Sequence, residues 1–149
     1  MNHQLSPRVV RYRGITLLEL TVTITVLLGL ISILIVGTRA WKRGGDRATC
    51  ILTLRNVQVA ARSYQNLYGY NYGGRPYAEN GTQDIARHLY EKGYLEEKLF
   101  AQATGVAKCA GGGSYSRPAI DIFPEAGVLY LNCSRSASEA HVPVSLADW

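Results

Sequence analysis

The hydrophobic pattern marks out two consecutive helical stretches in the first half of the chain. Residues 15–36 are a run of 22 residues with one charged side chain, Glu19. As a helix rising about 1.5 Å per residue, this run is roughly 33 Å long, enough to cross a hydrocarbon core of about 30 Å. In residues 37–68 the apolar positions recur every three or four residues, which is typical of an amphipathic helix. We therefore expect a membrane-spanning helix that continues into a water-exposed half.

The amphipathic half has one apolar stripe and one weak point. The stripe consists of Ile51, Leu54, Val57, Ala61, Tyr64 and Tyr68, with Cys50 beside them. Gly44-Gly45 weakens the helix by about 1 kcal/mol for each glycine relative to alanine. Because the helical pattern resumes at once, we expect a continuous helix with a hinge, ending at Gly69.

Residues 69–149 predict a small α+β head. A short helix is expected over 82–92, capped by Thr82 and ended by Gly93. Residues 120–123 and 128–132 are expected to pair as an antiparallel hairpin across a four-residue loop, followed by a polar tail to Trp149. The predicted fold class is α+β, a long N-terminal helix packed on a small antiparallel sheet.

Glu19 is an acid without a partner in its own segment. An ionised side chain at the centre of a bilayer costs on the order of 2.5–3.5 kcal/mol. Glu19 lies about 6 Å along the helix from Ile15, so its cost is lower than at the centre. No basic residue lies between Ile15 and Val36. A buried acid is tolerated when it is paired, so this position predicts a partner from outside the segment.

Residues 13–19, Arg-Gly-Ile-Thr-Leu-Leu-Glu, follow a basic lead and precede the apolar run. They resemble the prepilin signal of the type IV pilin and type II secretion pseudopilin superfamily. The resemblance implies a pilin-like fold, cleavage between Gly14 and Ile15 by a prepilin peptidase, and N-methylation of Ile15. It also implies that Glu19 meets the N-terminal amine of a neighbouring subunit. Ile15 departs from the family pattern, in which phenylalanine is the usual first residue.

The resemblance implies a structural role. The chain is expected to be a pseudopilin or pilin-like subunit of a type II secretion pseudopilus or a type IV pilus-like filament. Its leader, residues 1–14, would be cytoplasmic and removed. The precursor would cross the bacterial inner membrane once with its head in the periplasm, and the filament would lie outside the cytoplasm. Its partners would be the prepilin peptidase and N-methyltransferase, other subunits and the membrane. The alternative is a signal-anchored periplasmic binding or adaptor protein that does not polymerise.

The positive charge of the chain comes mostly from the leader. The formal net charge of +5 at pH 7 falls to +2 without the three arginines of residues 1–14. A basic flank on the cytoplasmic side of a span follows the positive-inside rule. We therefore expect no nucleic-acid partner.

The three cysteines predict one disulfide. An odd number in an oxidising compartment suggests one pair and one leftover thiol. Cys109 and Cys133 close a loop of 24 positions, for which a disulfide contributes about 3 kcal/mol. We favour that pair and expect Cys50 to pack as a small apolar residue. Because no close cysteine pair and no histidine at ligand spacing are present, zinc is not expected.

No catalytic or cofactor-binding pattern is found in the sequence. His88 and His141 are interpreted as lone surface histidines, since neither is paired with a nucleophile and an orienting acid. The glycine run 111–113 is not followed by the Lys-Ser/Thr pair of a phosphate loop. The chain is therefore predicted not to be an enzyme and to carry neither cofactor nor metal.

Overall fold

The computed structural model describes residues 14–146. Within that range the secondary structure consists of α1 (Leu17–Tyr68), α2 (Ile85–Glu91), α3 (Glu97–Ala103), β1 (Tyr115–Ser116), β2 (Asn132–Cys133) and α4 (Ser136–Glu139). The strands β1 and β2 are antiparallel, with Tyr115 opposite Cys133. The fold is α+β, as predicted. The predicted leader up to residue 13, and Trp149 at the end of the predicted tail, lie outside the described residues.

The chain divides into two compact units, one ending at Ala40 and the other beginning at Trp41. In the first unit, every described side chain of α1 is exposed. The second unit contains the rest of α1 and the head, and it holds the hydrophobic core. The core residues are Cys50, Leu54, Val57, Ala60, Ala61, Tyr64, Ile85, Ala86, Leu89, Leu95, Ala103, Cys109, Tyr115, Phe123, Leu129, Tyr130, Leu131 and Cys133.

The helix α1 runs for 52 residues through Gly44-Gly45 without a break. It ends where Gly69 takes a left-handed conformation with φ of +71°. The N–H of Tyr70 then donates to the carbonyl of Gln65 at 2.9 Å, which satisfies one of the last carbonyls of the helix. Glycine suits this position because it adopts positive φ without a steric penalty.

The buried face of α1 differs from the predicted stripe at both ends of the stripe. It also contains polar residues that the prediction did not include. Ile51 is half-buried and Tyr68 is exposed. Thr53, Gln58 and Gln65 are buried, although none of them is apolar. The face is therefore wider than the apolar spacing indicates.

The predicted hairpin of residues 120–123 and 128–132 does not form. Side chains of α1 satisfy the backbone of this region instead: Gln58 Nε2 donates to the carbonyl of Val128 at 2.9 Å. The N–H of Tyr130 donates to Gln58 Oε1 at 2.8 Å. Arg62 donates to the carbonyls of Pro124 and Glu125. Because these backbone groups are paired with a helix, a strand partner is not needed.

The short helices also differ in part from prediction. The cap of α2 is Asp84, not Thr82, because Asp84 Oδ1 accepts from the N–H of Ala86 at 2.9 Å. Thr82 instead accepts from the N–H of Asp84. Gly93, with φ of +78°, follows α2 at the predicted place. The helix α3 was not predicted, and α4 lies in the predicted tail.

Candidate functional site

The predicted processing residues lie immediately before α1. Gly14 and Ile15 are exposed and precede the helix. Thr16 begins it: its Oγ1 accepts from the N–H of Glu19 at 3.2 Å, and its carbonyl accepts from the N–H of Leu20 at 3.1 Å. A threonine that bonds the N–H three residues later is a typical helix N-cap. The spacing of Thr16 and Glu19 is that of a capping box, which was not predicted from the sequence.

The carboxylate of Glu19 has no ionic partner within residues 14–146. It lies in the first turn of α1, where the helix dipole favours a negative charge. That effect is typically 0.3–1 kcal/mol, about a third or less of the cost of a charge deep in a membrane. The local environment therefore explains the position of Glu19 only in part.

The N-terminal part of α1 is long and apolar enough to cross a membrane, and no residue of its most apolar stretch is buried. Its hydroxyl groups are satisfied within the helix. Thr21, Thr23 and Thr25 donate to carbonyls three or four residues earlier, at 2.8–2.9 Å. The segment therefore presents apolar groups to its surroundings. The hydroxyls of these three threonines need no partner outside the helix.

Four side chains of metal-ligating type meet in the head. Cys50 comes from α1, Cys109 precedes β1, Cys133 is in β2, and His141 follows α4. Their sulfur and ring-nitrogen atoms all lie within 4.8 Å of one another. All four residues are buried, with exposed fractions of 0 to 3%. We call this group the Cys-His cluster.

The Cys-His cluster revises three expectations. His141 is buried, not at the surface. Cys50 is buried as expected, but it lies beside two other thiols. Zinc was not expected because the cysteines and histidines are far apart along the chain. The fold brings these distant residues together, so their spacing in the sequence does not exclude a zinc site. All three cysteines are free thiols in the structure. The Cys109–Cys133 disulfide is not formed there and stays a prediction for the oxidised protein.

The ring of His141 is oriented from both sides. Its Nδ1 lies 3.3 Å from Cys109 Sγ and 4.0 Å from Cys133 Sγ. Its Nε2 lies 3.4 Å from Glu139 Oε2. Glu139 in turn pairs with Arg135. A carboxylate on Nε2 favours the tautomer in which Nδ1 has a free lone pair, directed at the sulfurs.

A backbone N–H group is directed at one of the sulfurs. The N–H of Gly111 donates to Cys109 Sγ at 3.4 Å. The backbone of Arg135 acts to lower the pKa of the Cys133 thiol. Burial is the larger effect, and it raises the pKa of the Cys133 and Cys50 thiols above their usual value. The cluster therefore combines desolvated thiols with donors suited to thiolates.

The backbone around the cluster leaves no room for larger residues. A Cβ on Gly111 would lie 2.7 Å from His141 Cε1. A Cβ on Gly113 would lie 3.0 Å from Ser134 Oγ and 3.3 Å from Cys133 Sγ. Ala140, just before His141, has a φ of +52°, which alanine rarely adopts. The glycine run, which has no phosphate-binding pattern, thus allows the chain to approach the imidazole closely.

The second histidine singled out in the sequence, His88, is also buried and not at the surface. Its Nε2 lies 3.1 Å from the carbonyl of Thr82, and its Nδ1 lies 3.8 Å from Glu79 Oε2. No cysteine accompanies it in a metal-ligating group within the described residues. His88 therefore connects α2 to the loop before it.

No family model, no curated protein and no solved structure matches the chain. The prepilin resemblance therefore depends on residues 13–19 and on the apolar run that follows them. The Cys-His cluster depends on the fold of the head alone.

Proposed function

We propose that the chain is a pilin-like or pseudopilin-like filament subunit that α1 holds in the bacterial inner membrane before assembly. The observation that carries the proposal is Glu19, an acid without an ionic partner among the described residues, in the first turn of an apolar helix and five positions after Gly14. A type II secretion pseudopilus or a type IV pilus-like filament would use such a subunit.

The exposed apolar surface of α1 supports this proposal. Large apolar side chains from Leu17 to Val36 are all exposed in the isolated chain. Removing apolar surface from water contributes about 25 cal/mol per Å². Lipid would cover these side chains in the precursor, and neighbouring helices would cover them in the filament. The same apolar surface would thus anchor the precursor in the membrane and pack against other subunits in the filament.

Cleavage after Gly14 would create the partner that Glu19 lacks. The new amine of Ile15 would be a cation at neutral pH, since an α-amino group has a pKa of about 7.7–8.0. In a filament core the amine of one subunit would pair with Glu19 of another. Loss of one member of a buried ion pair costs about 3–5 kcal/mol. This pairing would set the register between subunits.

The residues after the span fit a membrane interface. Trp41 is exposed, with Arg39, Lys42 and Arg43 next to it in sequence. Tryptophan is enriched at the level of lipid head groups, and basic side chains interact there with phosphates. The head beyond Trp41 would then lie in the periplasm.

The alternative function is an anchored periplasmic binding or adaptor protein that keeps its leader. The observation that favours it is the place of Glu19 in the first turn of α1, where the helix dipole favours an acid within a single helix. The state of the N-terminus distinguishes the two functions.

The first experiment determines the N-terminus of the protein from membranes of cells with an active prepilin peptidase, by intact mass and fragmentation. We expect a species that begins at Ile15 with a methyl group on its amine. Gly14→Leu should block processing completely. Gly29→Leu is the matched control, because it places the same side chain in the span, where it has open space. A wild-type species that begins at Met1 would establish the alternative.

The second experiment separates anchoring from assembly. Glu19→Ala should be processed and retained in the membrane at normal levels, but its yield of filaments should fall at least tenfold. Asp46→Ala removes another acid from α1 and should assemble normally. Normal filaments from the Glu19→Ala protein would contradict the pairing role of Glu19.

A further inference from the structure

We propose that Cys50, Cys109, Cys133 and His141 bind a structural zinc ion. This site is independent of filament assembly and would exist in either of the functions considered above. Its ligands are three thiolates and the Nδ1 atom of one imidazole. The Cys₃His set is one of the common ligand sets of structural zinc.

The distances fit tetrahedral coordination. Zinc binds sulfur at about 2.3 Å and nitrogen at about 2.0 Å, which places tetrahedral ligand atoms about 3.5–3.8 Å apart. Here the sulfurs of Cys109 and Cys133 lie 3.3 and 4.0 Å from His141 Nδ1, and all four atoms lie within 4.8 Å. The two distances to His141 Nδ1 differ from the tetrahedral value by about half an ångström or less, and a pair as far apart as 4.8 Å would close by about 1 Å on coordination.

The surroundings are those of a ligand set and not of four residues that merely pack together. Glu139 lies on the far ring nitrogen of His141, as carboxylates do behind zinc-bound histidines. The N–H of Gly111, two residues after Cys109, is directed at the Cys109 sulfur. These contacts are of little use to neutral thiols, but they stabilise bound thiolates.

A nearby hydroxyl and nearby cations also suit an anionic centre. The Tyr115 hydroxyl is buried beside Cys50 and has no hydrogen-bond partner in the described part of the chain. A thiolate at Cys50 would accept its hydrogen. Zinc with three thiolates and a neutral imidazole carries one negative charge. An open cleft of about 540 Å³ that reaches His141 is lined by Arg43, Arg47 and Glu139, and its two arginines would offset that charge.

The site is structural because the protein supplies every ligand. Four protein ligands complete tetrahedral zinc and leave no open position for water or substrate. Burial of all four residues excludes solvent from the metal. Thiolate ligands select soft or borderline metals such as zinc over magnesium or calcium. Zinc would link α1 to the segment before β1, to β2 and to the segment after α4, in one centre that uses all three cysteines.

The test measures metal and thiols together in the full-length protein, purified in detergent from cells grown with zinc. We expect one zinc per chain by elemental analysis and three alkylatable thiols after denaturation with chelator. Replacement by Co²⁺ should produce the intense visible bands of a tetrahedral site and a sulfur-to-cobalt charge-transfer band. A Cys109–Cys133 disulfide without metal, or free thiols that take up neither metal, would overturn the proposal.

Variants identify the ligands. Cys50→Ser and His141→Asn should each lose stoichiometric zinc, whereas His88→Asn removes another buried histidine and should keep it. Because a ligand variant can also fail to fold, Glu139→Gln provides a milder test: it should lower zinc affinity about 10–100-fold. Glu97→Gln, an exposed acid on α3, should leave the affinity unchanged. Equal affinities for the Glu139→Gln and wild-type proteins would contradict the orienting role of Glu139.

Discussion

The two halves of α1 form one continuous helix but have opposite surroundings. From Leu17 to Ala40 every side chain is exposed. From Cys50 to Gln65 one face is buried against the head. The head half is amphipathic, with apolar residues and a few polar but uncharged ones on its buried face, whereas the N-terminal half is predominantly apolar on all sides. A helix that is apolar all round requires lipid or other helices about it.

A matched pair of leucines makes the difference concrete. Leu27 and Leu52 are both 56% exposed on the same helix. Leu52 is followed by the buried Thr53 and Leu54, so its exposure marks the outer face of an amphipathic segment. Leu27 has only exposed apolar neighbours, Val26 and Leu28 among them. The environment of a helix is therefore indicated by the periodicity of exposure, not by the exposure of any one residue.

The largest expected effect separates the two halves by stability. Leu54 is 1% exposed in the core, and Leu54→Ala should destabilise the head by about 2–5 kcal/mol, because it removes buried methyl groups and leaves a cavity. Leu27→Ala is the control and should leave head stability unchanged. Denaturant unfolding of the full chain in detergent, followed by near-UV circular dichroism of the tyrosines, measures both. Equal losses would show that the halves do not differ as described.

An intermediate effect is expected from Gln58, which pairs α1 with the backbone of the head. Gln58→Ala leaves the carbonyl of Val128 and the N–H of Tyr130 without their partner. An unsatisfied buried polar group costs about 1–3 kcal/mol, so unfolding should occur at correspondingly lower denaturant. Asn66→Ala removes an exposed amide from the same helix and should change little. If the two variants unfold together, the backbone of this region does not depend on Gln58.

The smallest expected effect is a loss of head stability at alkaline pH. Burial raises the pKa of the Tyr130 hydroxyl to about 12, against the lowering effect of Arg117. In the unfolded chain a tyrosine ionises near pH 10. Between these values the unfolded state has lost the proton and the folded state keeps it, so this contribution is complete below pH 10 and is lost as pH rises through 12. The loss at pH 11 should be about 1 kcal/mol.

Tyr130→Phe tests this linkage in the same unfolding assay between pH 9 and 11. The variant should lose less stability over that interval than the wild type. Some slope should remain, because burial also raises the pKa of Tyr64 and Tyr115. Tyr77→Phe changes an exposed tyrosine and should keep the wild-type slope. A wild-type slope in the Tyr130→Phe protein would show that Tyr130 ionises normally.

The long-helix pattern was predictable because it depends on local spacing. The apolar run, the stripe from Leu54 to Tyr64 and the end at Gly69 are each visible within a few turns of sequence. Gly93 could be located for the same reason, since a helix end has a local signature. These features need no knowledge of which distant residues meet.

The rest of the head depends on contacts between distant residues. Residues 120–132 have strand-like composition, but Gln58 and Arg62 of α1 bind their backbone, which no local pattern reveals. The Cys-His cluster was missed because no two of its members are at ligand spacing. A usable signal did exist: a glycine run two residues after Cys109, and His141 eight residues after Cys133. Only the fold shows that these belong together.

The long-range bonds of Gln58 also impose an order of events on the maturing chain. Its partners Val128 and Tyr130 lie 70 and 72 positions later. Helix formation takes on the order of a microsecond, whereas contacts across such distances wait for loop closure. The buried face of α1 is therefore completed late, because Gln58 has no partner until residues 128–130 are in place. Until the last third of the chain arrives, part of that buried face is uncovered, and this interval is when the protein is most exposed to misassembly.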